Sequence, residues 1–263
     1  MERLRKLPPG LASLYAQMLA YVGETDDADV CLPILRLMVI SYGPLKVSEI
    51  QSFVHGLLDM PLDEVYAIIS RCGSFLSVRD GSVDFIHQSA KDFLDSNECY
   101  DTIFPRPPTE AHMEIVQSAL DLMDRSLKAN MHNLLTPDAT IQDAVMPSTS
   151  PVHLLKYASS LWVDHALATL QEASTCRLCI FRPGHVCDKS EEEKLCQMLF
   201  SDDGPVMSFL SCHFLHWVEC LSFLQRVPSA IVAIKRLLTK LEVSVPLFPF
   251  FFSFLFFFIF AIW

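Results

Sequence analysis

The spacing of apolar residues predicts helices over the first part of the chain. Between residues 7 and 22, apolar side chains, Tyr15 among them, recur every three or four positions, as they do on one face of an amphipathic helix. Residues 30–40 are apolar almost throughout, which indicates a second helix that is buried on most sides. Gly43 and Pro44, which follow this stretch, are typical of a helix end.

Two further helices carry their own start and end signals. Ser48 and Gln51 match an S-x-x-Q capping box, so we expect a helix that begins there and ends near residue 58. Pro61 predicts the start of the next helix. Gly73 predicts its end, because glycine readily adopts the left-handed conformation after a last helical turn.

The period then changes from that of a helix to that of a strand. Residues 75–78 and 83–86 have the pattern of two short strands, and Asp80-Gly81 between them is a strong signal for a hairpin turn. A helical pattern returns at residues 88–96. Three helices followed by a β-hairpin is the order of elements in a winged helix.

The second half of the chain reads as helical with irregular stretches. Helical patterns cover residues 109–130, 152–170 and 206–242, and Pro228 predicts a break in the last of them. Residues 174–205 contain charges, cysteines and a Pro-Gly turn, so we expect irregular structure there.

These patterns predict a mainly α protein: a winged-helix-like module with a small β-hairpin, followed by an α-helical bundle and a hydrophobic C-terminal tail. The predicted division is a short helical region at 1–27, the winged-helix-like domain at 28–97, a helical extension at 98–242 and the tail at 243–263.

Composition and charge narrow the classes of partner. The net charge of −11 repels phosphate backbones, and the helix that would read DNA in a winged helix begins with Asp63 and Glu64, so we expect no nucleic-acid partner. The basic start of the chain is followed by no apolar run, which argues against a secretory signal. The nine cysteines are an odd number, so we expect reduced thiols in a cytoplasmic protein.

The tail allows a different localisation. Residues 243–263 carry no charge and are long enough to span a bilayer, and Lys235, Arg236 and Lys240 precede them as in a C-terminal tail anchor. Pro246 interrupts such a helix, and the neighbouring residues are of types that pyrimidine-only codons can encode. The tail is therefore either a membrane segment or a read-through extension.

Four segments of the chain read LPPGLASLYAQML, ISRCGSFLSVRDGSVDFIHQSAKDFL, LLKYASSLWVDHAL and FLHWVECLSFL. They resemble fungal NACHT proteins of the vegetative-incompatibility type, which carry WD40 or ankyrin repeats. The segments stand in the order that the family has them, and FIHQSAKDFL at 85–94 is the most specific. The resemblance covers roughly residues 7–240. It implies a piece that begins in the end of the NACHT helical region and continues through the winged helix and helical extension.

The resemblance also implies a role for one histidine. In related NACHT proteins, the histidine of this winged-helix motif contacts the β-phosphate of bound ADP, and the matching residue here is His87. An imidazole N–H can donate to an anionic oxygen and so hold the module against a nucleotide-binding core. The alternative is that His87 only caps or fills the junction between strand and helix.

The chain contains no GxxxxGK[ST] string, and a phosphate-binding loop needs one. We therefore expect no enzyme activity and no cofactor, with ADP or ATP bound only in the context of a complete NACHT core. We expect free thiols in a variable loop further along the chain and no bound metal. The alternative is a zinc site, because a C-x-x-C pair with soft ligands behind it can hold zinc. The four residues are Cys176, Cys179, His185 and Cys187.

The resulting hypothesis is a non-catalytic regulatory piece of a NACHT-type signalling ATPase, which couples nucleotide state in the core to distal sensor repeats. Its partners would be that core and those repeats. The alternative is a tail-anchored membrane scaffold protein.

Overall fold

A computed structural model of the chain describes residues 10–131, 154–174, 189–201 and 203–244. The chain divides into two compact units, residues 1–111 and residues 112–263. Each unit is described by itself below.

The first unit contains a series of helices interrupted by three short strands. In chain order these are α1 (Leu11–Glu24), α2 (Ala28–Ile40), β1 (Leu45–Lys46), α3 (Val47–Phe53), a 3-10 turn (His55–Leu57), α4 (Leu62–Arg71), β2 (Leu76–Arg79), β3 (Ser82–Phe85), α5 (Gln88–Leu94) and α6 (Tyr100–Ile103). From α2 to β3, this is the element order of a winged helix.

The three strands form one antiparallel sheet in the order β1-β3-β2. The predicted hairpin is confirmed: Asp80 and Gly81 both have positive φ, 50° and 71°, as a tight turn between twisted strands requires. Strand β1 is an addition to the prediction. It pairs Leu45 with Val83 and is two residues long, which is too short to show a period in the sequence.

The core of the first unit lies between its helices and one face of the sheet. Helix α4 faces this core with Val65, Ile68 and Ile69, as its amphipathic pattern predicts. Other fully buried members come from five further elements and from the loop before β2: Ile34, Leu35, Leu45, Ile50, Phe75, Val83, Phe93 and Leu94.

Gly73 ends α4 as predicted and also lies against α1. Its φ of +67° is a conformation that other residues adopt only with strain, and a Cβ at this position would lie 2.6 Å from a methyl carbon of Val22. Glycine is therefore required here by both the backbone and the close approach of α1.

The predicted capping box at Ser48 and Gln51 is wrong. Helix α3 begins one residue earlier, and the Glu49 carboxylate accepts a hydrogen bond of 2.8 Å from the Lys46 amide, the contact that a capping glutamate makes. The Gln51 side chain instead donates to backbone carbonyls beyond the helix, including that of Met60 at 2.7 Å. These bonds hold the turn that follows α3, which therefore ends at Phe53 rather than near residue 58.

Every regular element in the described part of the second unit is a helix. Its helices are α7 (Pro108–Ser126), which contains the division between the units, α8 (Lys156–Ser174), α9 (Lys189–Phe200), α10 (Pro205–Phe223) and α11 (Val227–Ser244). The expectation of irregular structure over residues 174–205 is wrong for α9. The first half of this helix is polar, so the apolar repeat of a helix is not visible in its sequence. The predicted break near Pro228 lies just before it, at Leu224–Arg226, where Gln225 has a φ of +55°.

Two tryptophans occupy the centre of the second unit. Trp162 and Trp217 are each 1% exposed, and their rings meet edge to face with centroids 5.7 Å apart. The Trp217 indole N–H donates to the Ser159 carbonyl at 2.8 Å, which satisfies its one polar group. Both tryptophans are therefore core residues of the second unit.

Candidate functional site

The motif at residues 85–94 spans the junction between β3 and α5. Strand β3 ends at Phe85, and α5 begins at Gln88 with His87 as its N-cap residue. The His87 side chain lies on the exposed side of this junction. The sequence therefore places one exposed imidazole where the hairpin leaves the sheet.

One ring nitrogen of His87 is held by the residue two positions later. The Ser89 backbone N–H donates to His87 Nδ1 at 3.1 Å, and the Ser89 hydroxyl oxygen lies 2.7 Å from the same atom. Histidine here performs the capping task that a serine or aspartate side chain usually performs. The capping role that the sequence left as an alternative is thus present.

The capping bond assigns the protons of the cluster. Because the Ser89 amide donates to Nδ1, this nitrogen is unprotonated, and the proton of a neutral His87 lies on Nε2. The short contact with the Ser89 hydroxyl is then an O–H donation to Nδ1. Since the hydroxyl has one proton, the 3.0 Å contact between Ser89 and Tyr15 is a donation by the tyrosine.

Tyr15 connects this cluster to α1. It is 4% exposed, and its ring packs against those of Phe75 and Phe93 with centroid distances of 5.7 and 5.5 Å. The sequence pattern assigned Tyr15 to the apolar face of α1 and missed its hydroxyl contact. The tyrosine and the serine are 74 residues apart, so no local signal could pair them.

The other polar residues of the motif hold α5 in place. The Lys91 ammonium donates to the Ser41 carbonyl at 3.1 Å, and its pKa is lowered by partial burial in spite of carboxylates nearby. On the exposed side, the Gln88 amide donates to Asp92 at 3.0 Å, one turn further along the helix.

The site can therefore offer one directed hydrogen-bond donor, the Nε2–H of His87. An anionic oxygen is the acceptor that such a donor binds most strongly, because charge-assisted bonds are stronger than neutral ones.

The four candidate zinc ligands, Cys176, Cys179, His185 and Cys187, lie outside the described residues. Within the part of the chain that the structure describes, no three or more histidine, cysteine or acidic side chains are grouped as a metal site would require.

Most of the hydrophobic tail, residues 245–263, also lies outside the described residues. Among the described residues, one stretch, Gln197–Phe223, is by length and composition apolar enough to cross a membrane. Half of its apolar window is buried inside the protein, so it is weak evidence for a membrane span.

A second histidine cluster, which the sequence did not reveal, lies within the second unit. His112 Nδ1 and His165 Nδ1 are 2.7 Å apart, and the Tyr157 hydroxyl lies 2.8 Å from His165 Nε2. The two histidines are 4% and 0% exposed. Burial lowers the pKa of His112 to about 4 and lowers that of His165 well below its ordinary value.

Comparison with known proteins finds a similar fungal protein. The vegetative incompatibility protein HET-E-1 of Podospora anserina is 30% identical over 250 residues, which is 90% of this chain and 17% of that protein. No family model matches the chain. No solved structure matches it. Over nine tenths of its length, the chain is therefore similar to a segment of a much longer fungal vegetative incompatibility protein.

Proposed function

We propose that the chain is a regulatory, non-catalytic piece of a NACHT-type signalling ATPase, which couples the nucleotide state of the core to distal sensor repeats. The similarity to the Podospora protein extends through both compact units, and this supports a shared arrangement rather than a single shared motif. In this proposal the first unit contains the winged helix, and the second is the helical extension towards the repeats.

The observation that carries the proposal is the donor geometry of His87. Its Nδ1 is occupied by Ser89, so a neutral imidazole presents its Nε2–H from an exposed junction. A β-phosphate oxygen of ADP in an adjoining core would accept this bond. The bond would stabilise the ADP-bound resting form, and its loss would shift the population towards the open form.

Catalysis would belong to the core and not to this chain. Phosphoryl transfer needs a phosphate-binding loop and a held magnesium ion, and the sequence has no GxxxxGK[ST] string. In the proposal, the chain alone hydrolyses no ATP, and ADP or ATP is bound only with a complete core.

The exposed surface of α4 supports a protein partner. In a DNA-binding winged helix this element enters the major groove and needs positive charge. Here it exposes Asp63 and Glu64, and the Arg71 guanidinium is paired with Asp27 at 2.8 Å. Such a surface would repel a phosphate backbone, whereas the neighbouring exposed Leu62 and Tyr66 are suited to contact with protein.

The proposal can be tested by grafting the chain into the Podospora protein in place of the matching segment. The graft should leave the resting protein silent and able to trigger the incompatibility reaction when stimulated. His87→Asp should make the chimera active without a stimulus, because an aspartate can still cap α5 but has no proton to donate to the phosphate.

His55→Asp is the matched control, because His55 is also exposed in the same unit and lies on the 3-10 turn. It should behave as the unsubstituted chimera. A chimera that is silent under stimulation would contradict the proposed role of the chain. A His87→Asp chimera that stays at rest like the control would contradict the role of the histidine.

A further inference from the structure

We propose that Tyr15 and Ser89 are positioning residues that keep the proton of His87 on Nε2. The packing of α1 against the first unit would then control whether His87 presents an Nε2–H donor. This inference rests on the proposed function for its biological meaning. Its physical content is a directional chain of hydrogen bonds, Tyr15 to Ser89 to His87, within the first unit.

The donors that surround Nδ1 determine the direction of this series of hydrogen bonds. Ser89 brings two donors to this atom, its backbone amide at 3.1 Å and its hydroxyl at 2.7 Å. If the proton of His87 moved to Nδ1, that N–H would face the Ser89 amide N–H, and the helix cap would be lost. The two donors of Ser89 therefore favour the Nε2–H tautomer together.

The Tyr15 hydroxyl keeps Ser89 in its donating orientation. A serine hydroxyl rotates freely, and its one proton can point either to Tyr15 or to His87. When Tyr15 donates to the serine oxygen, the serine proton is directed to Nδ1. Tyr15 is 4% exposed and Ser89 is 9% exposed, so solvent competes little for either bond.

Tyr15 belongs to α1, whereas Ser89 and His87 belong to the motif at the end of the hairpin. The tyrosine ring is held by Phe75 and Phe93, so its hydroxyl reaches Ser89 only while α1 is packed in this position. Withdrawal of α1 would leave the serine without its donor and free to rotate. In this way a shift of the segment before the winged helix would reach the exposed nitrogen of His87.

A purely structural role for the two hydroxyls predicts something different. In that case their removal would lower stability but would leave the tautomer of His87 as it is. The tautomer is therefore the quantity that separates a positioning role from a structural one.

The test uses the full chain labelled with 15N-histidine, at about pH 8, where histidines with an ordinary pKa are neutral. A single tautomer gives two widely separated 15N resonances for one ring, and exchange between tautomers brings them together. His87→Gln identifies the pair that belongs to His87 among the nine histidines. We expect wide separation in the unsubstituted chain, a clear reduction in Ser89→Ala and a smaller reduction in Tyr15→Phe.

Tyr21→Phe is the matched control for the tyrosine, since it removes a hydroxyl from an exposed position of the same helix. Ser89→Thr keeps a hydroxyl donor and should keep the wide separation. If both Ser89→Ala and Tyr15→Phe retain the separation of the unsubstituted chain, the inference is wrong. If only Ser89→Ala reduces it, the coupling to α1 is wrong, and Ser89 alone positions the histidine.

No nucleotide is present in this experiment, so its outcome is independent of the proposed function. The tautomer can respond as expected while the chimera shows no role for His87, and the reverse can also occur. A failure of one proposal is therefore distinguishable from a failure of the other.

Discussion

Each of the two units contains a tyrosine that is linked to a histidine by hydrogen bonds. In the first unit Tyr15 is linked to His87 through Ser89, and in the second Tyr157 contacts His165, which contacts His112. In the first unit the bonds use only Nδ1 of His87 and leave Nε2 at an exposed junction. In the second, both nitrogens of His165 are in hydrogen bonds, and the ring is 0% exposed. The same side chain is thus arranged to present a donor in one unit and to satisfy a buried core in the other.

The largest effect that follows from this contrast is a loss of stability in acid. Folded His112 has its pKa lowered to about 4 and His165 well below its ordinary value, whereas both titrate near 6.5 when unfolded. The unfolded state therefore binds more protons below pH 6.5, and the free energy of unfolding falls as the pH is lowered. For His112 alone we expect a loss of roughly 2 kcal/mol between pH 7 and pH 5.

Urea denaturation followed by tryptophan fluorescence measures this loss in the second unit. The first 111 residues contain no tryptophan, and Trp162 and Trp217 both lie in the core of the second unit. The interval from pH 7 to pH 5 lies above the range in which ordinary carboxylates titrate. Equal free energies of unfolding at the two pH values would show that the histidine pair is not buried in its neutral form.

A change at Gly73 should weaken the attachment of α1 in the first unit. Gly73→Ala introduces a Cβ at positive φ and 2.6 Å from Val22, so we expect the free energy of unfolding to fall by about 2 kcal/mol or more. Hydrogen exchange of α1 and α4 peptides would report the loss.

Gly23→Ala is the control, because a Cβ at that position within α1 meets nothing within 4 Å. This substitution should raise stability by up to about 1 kcal/mol through helix propensity. A Gly73→Ala protein with unchanged protection of α1 would mean that the close packing of α1 on Gly73 is absent.

Removal of the tyrosine hydroxyl in the second unit should have an intermediate effect. Tyr157→Phe removes the hydroxyl that is the hydrogen-bond partner of His165 Nε2. Because a buried polar atom is then left without this bond, we expect the free energy of unfolding to fall by about 1–3 kcal/mol. Tyr66→Phe, at an exposed position of α4, should change stability by less than about 0.5 kcal/mol. Urea denaturation of both variants measures the difference, and equal midpoints would contradict the buried cluster.

The smallest expected effect is at the exposed histidine. His87→Ala removes the cap of α5 and should lower the free energy of unfolding by about 1 kcal/mol. His87→Asn places a good capping residue at the same position and should restore most of this stability. Hydrogen exchange of α5 peptides measures the loss and the recovery of protection. Equal protection in the two variants would mean that His87 does not cap the helix.

Local signals in the sequence were sufficient for most of the first unit. Asp80-Gly81 and Gly73 gave the hairpin and the end of α4, because both depend on backbone conformations that few residues adopt. The short strand β1 and the capping glutamate Glu49 were missed, since a two-residue strand has no period and several polar residues near Lys46 could cap α3.

Contacts between distant residues were not predictable in the same way. His112 and His165 are 53 residues apart, and neither stands in a motif that marks a buried partner. Tyr15 was correctly placed on the inner face of α1, but period alone cannot show where its hydroxyl goes. The motif identified the histidine at position 87, and only the fold shows which of its nitrogens is available.

The dissociation rate of ADP from the purified Podospora chimera tests the central claim most directly. If the Nε2–H of His87 donates to a phosphate oxygen, His87→Asp, which has no donor, should speed ADP release by about tenfold or more, as the loss of a bond to a charged group would, while His55→Asp should leave the rate unchanged. Equal release rates in the two variants, measured with the same fluorescent ADP analogue, would contradict the claim that this winged helix senses the nucleotide through His87.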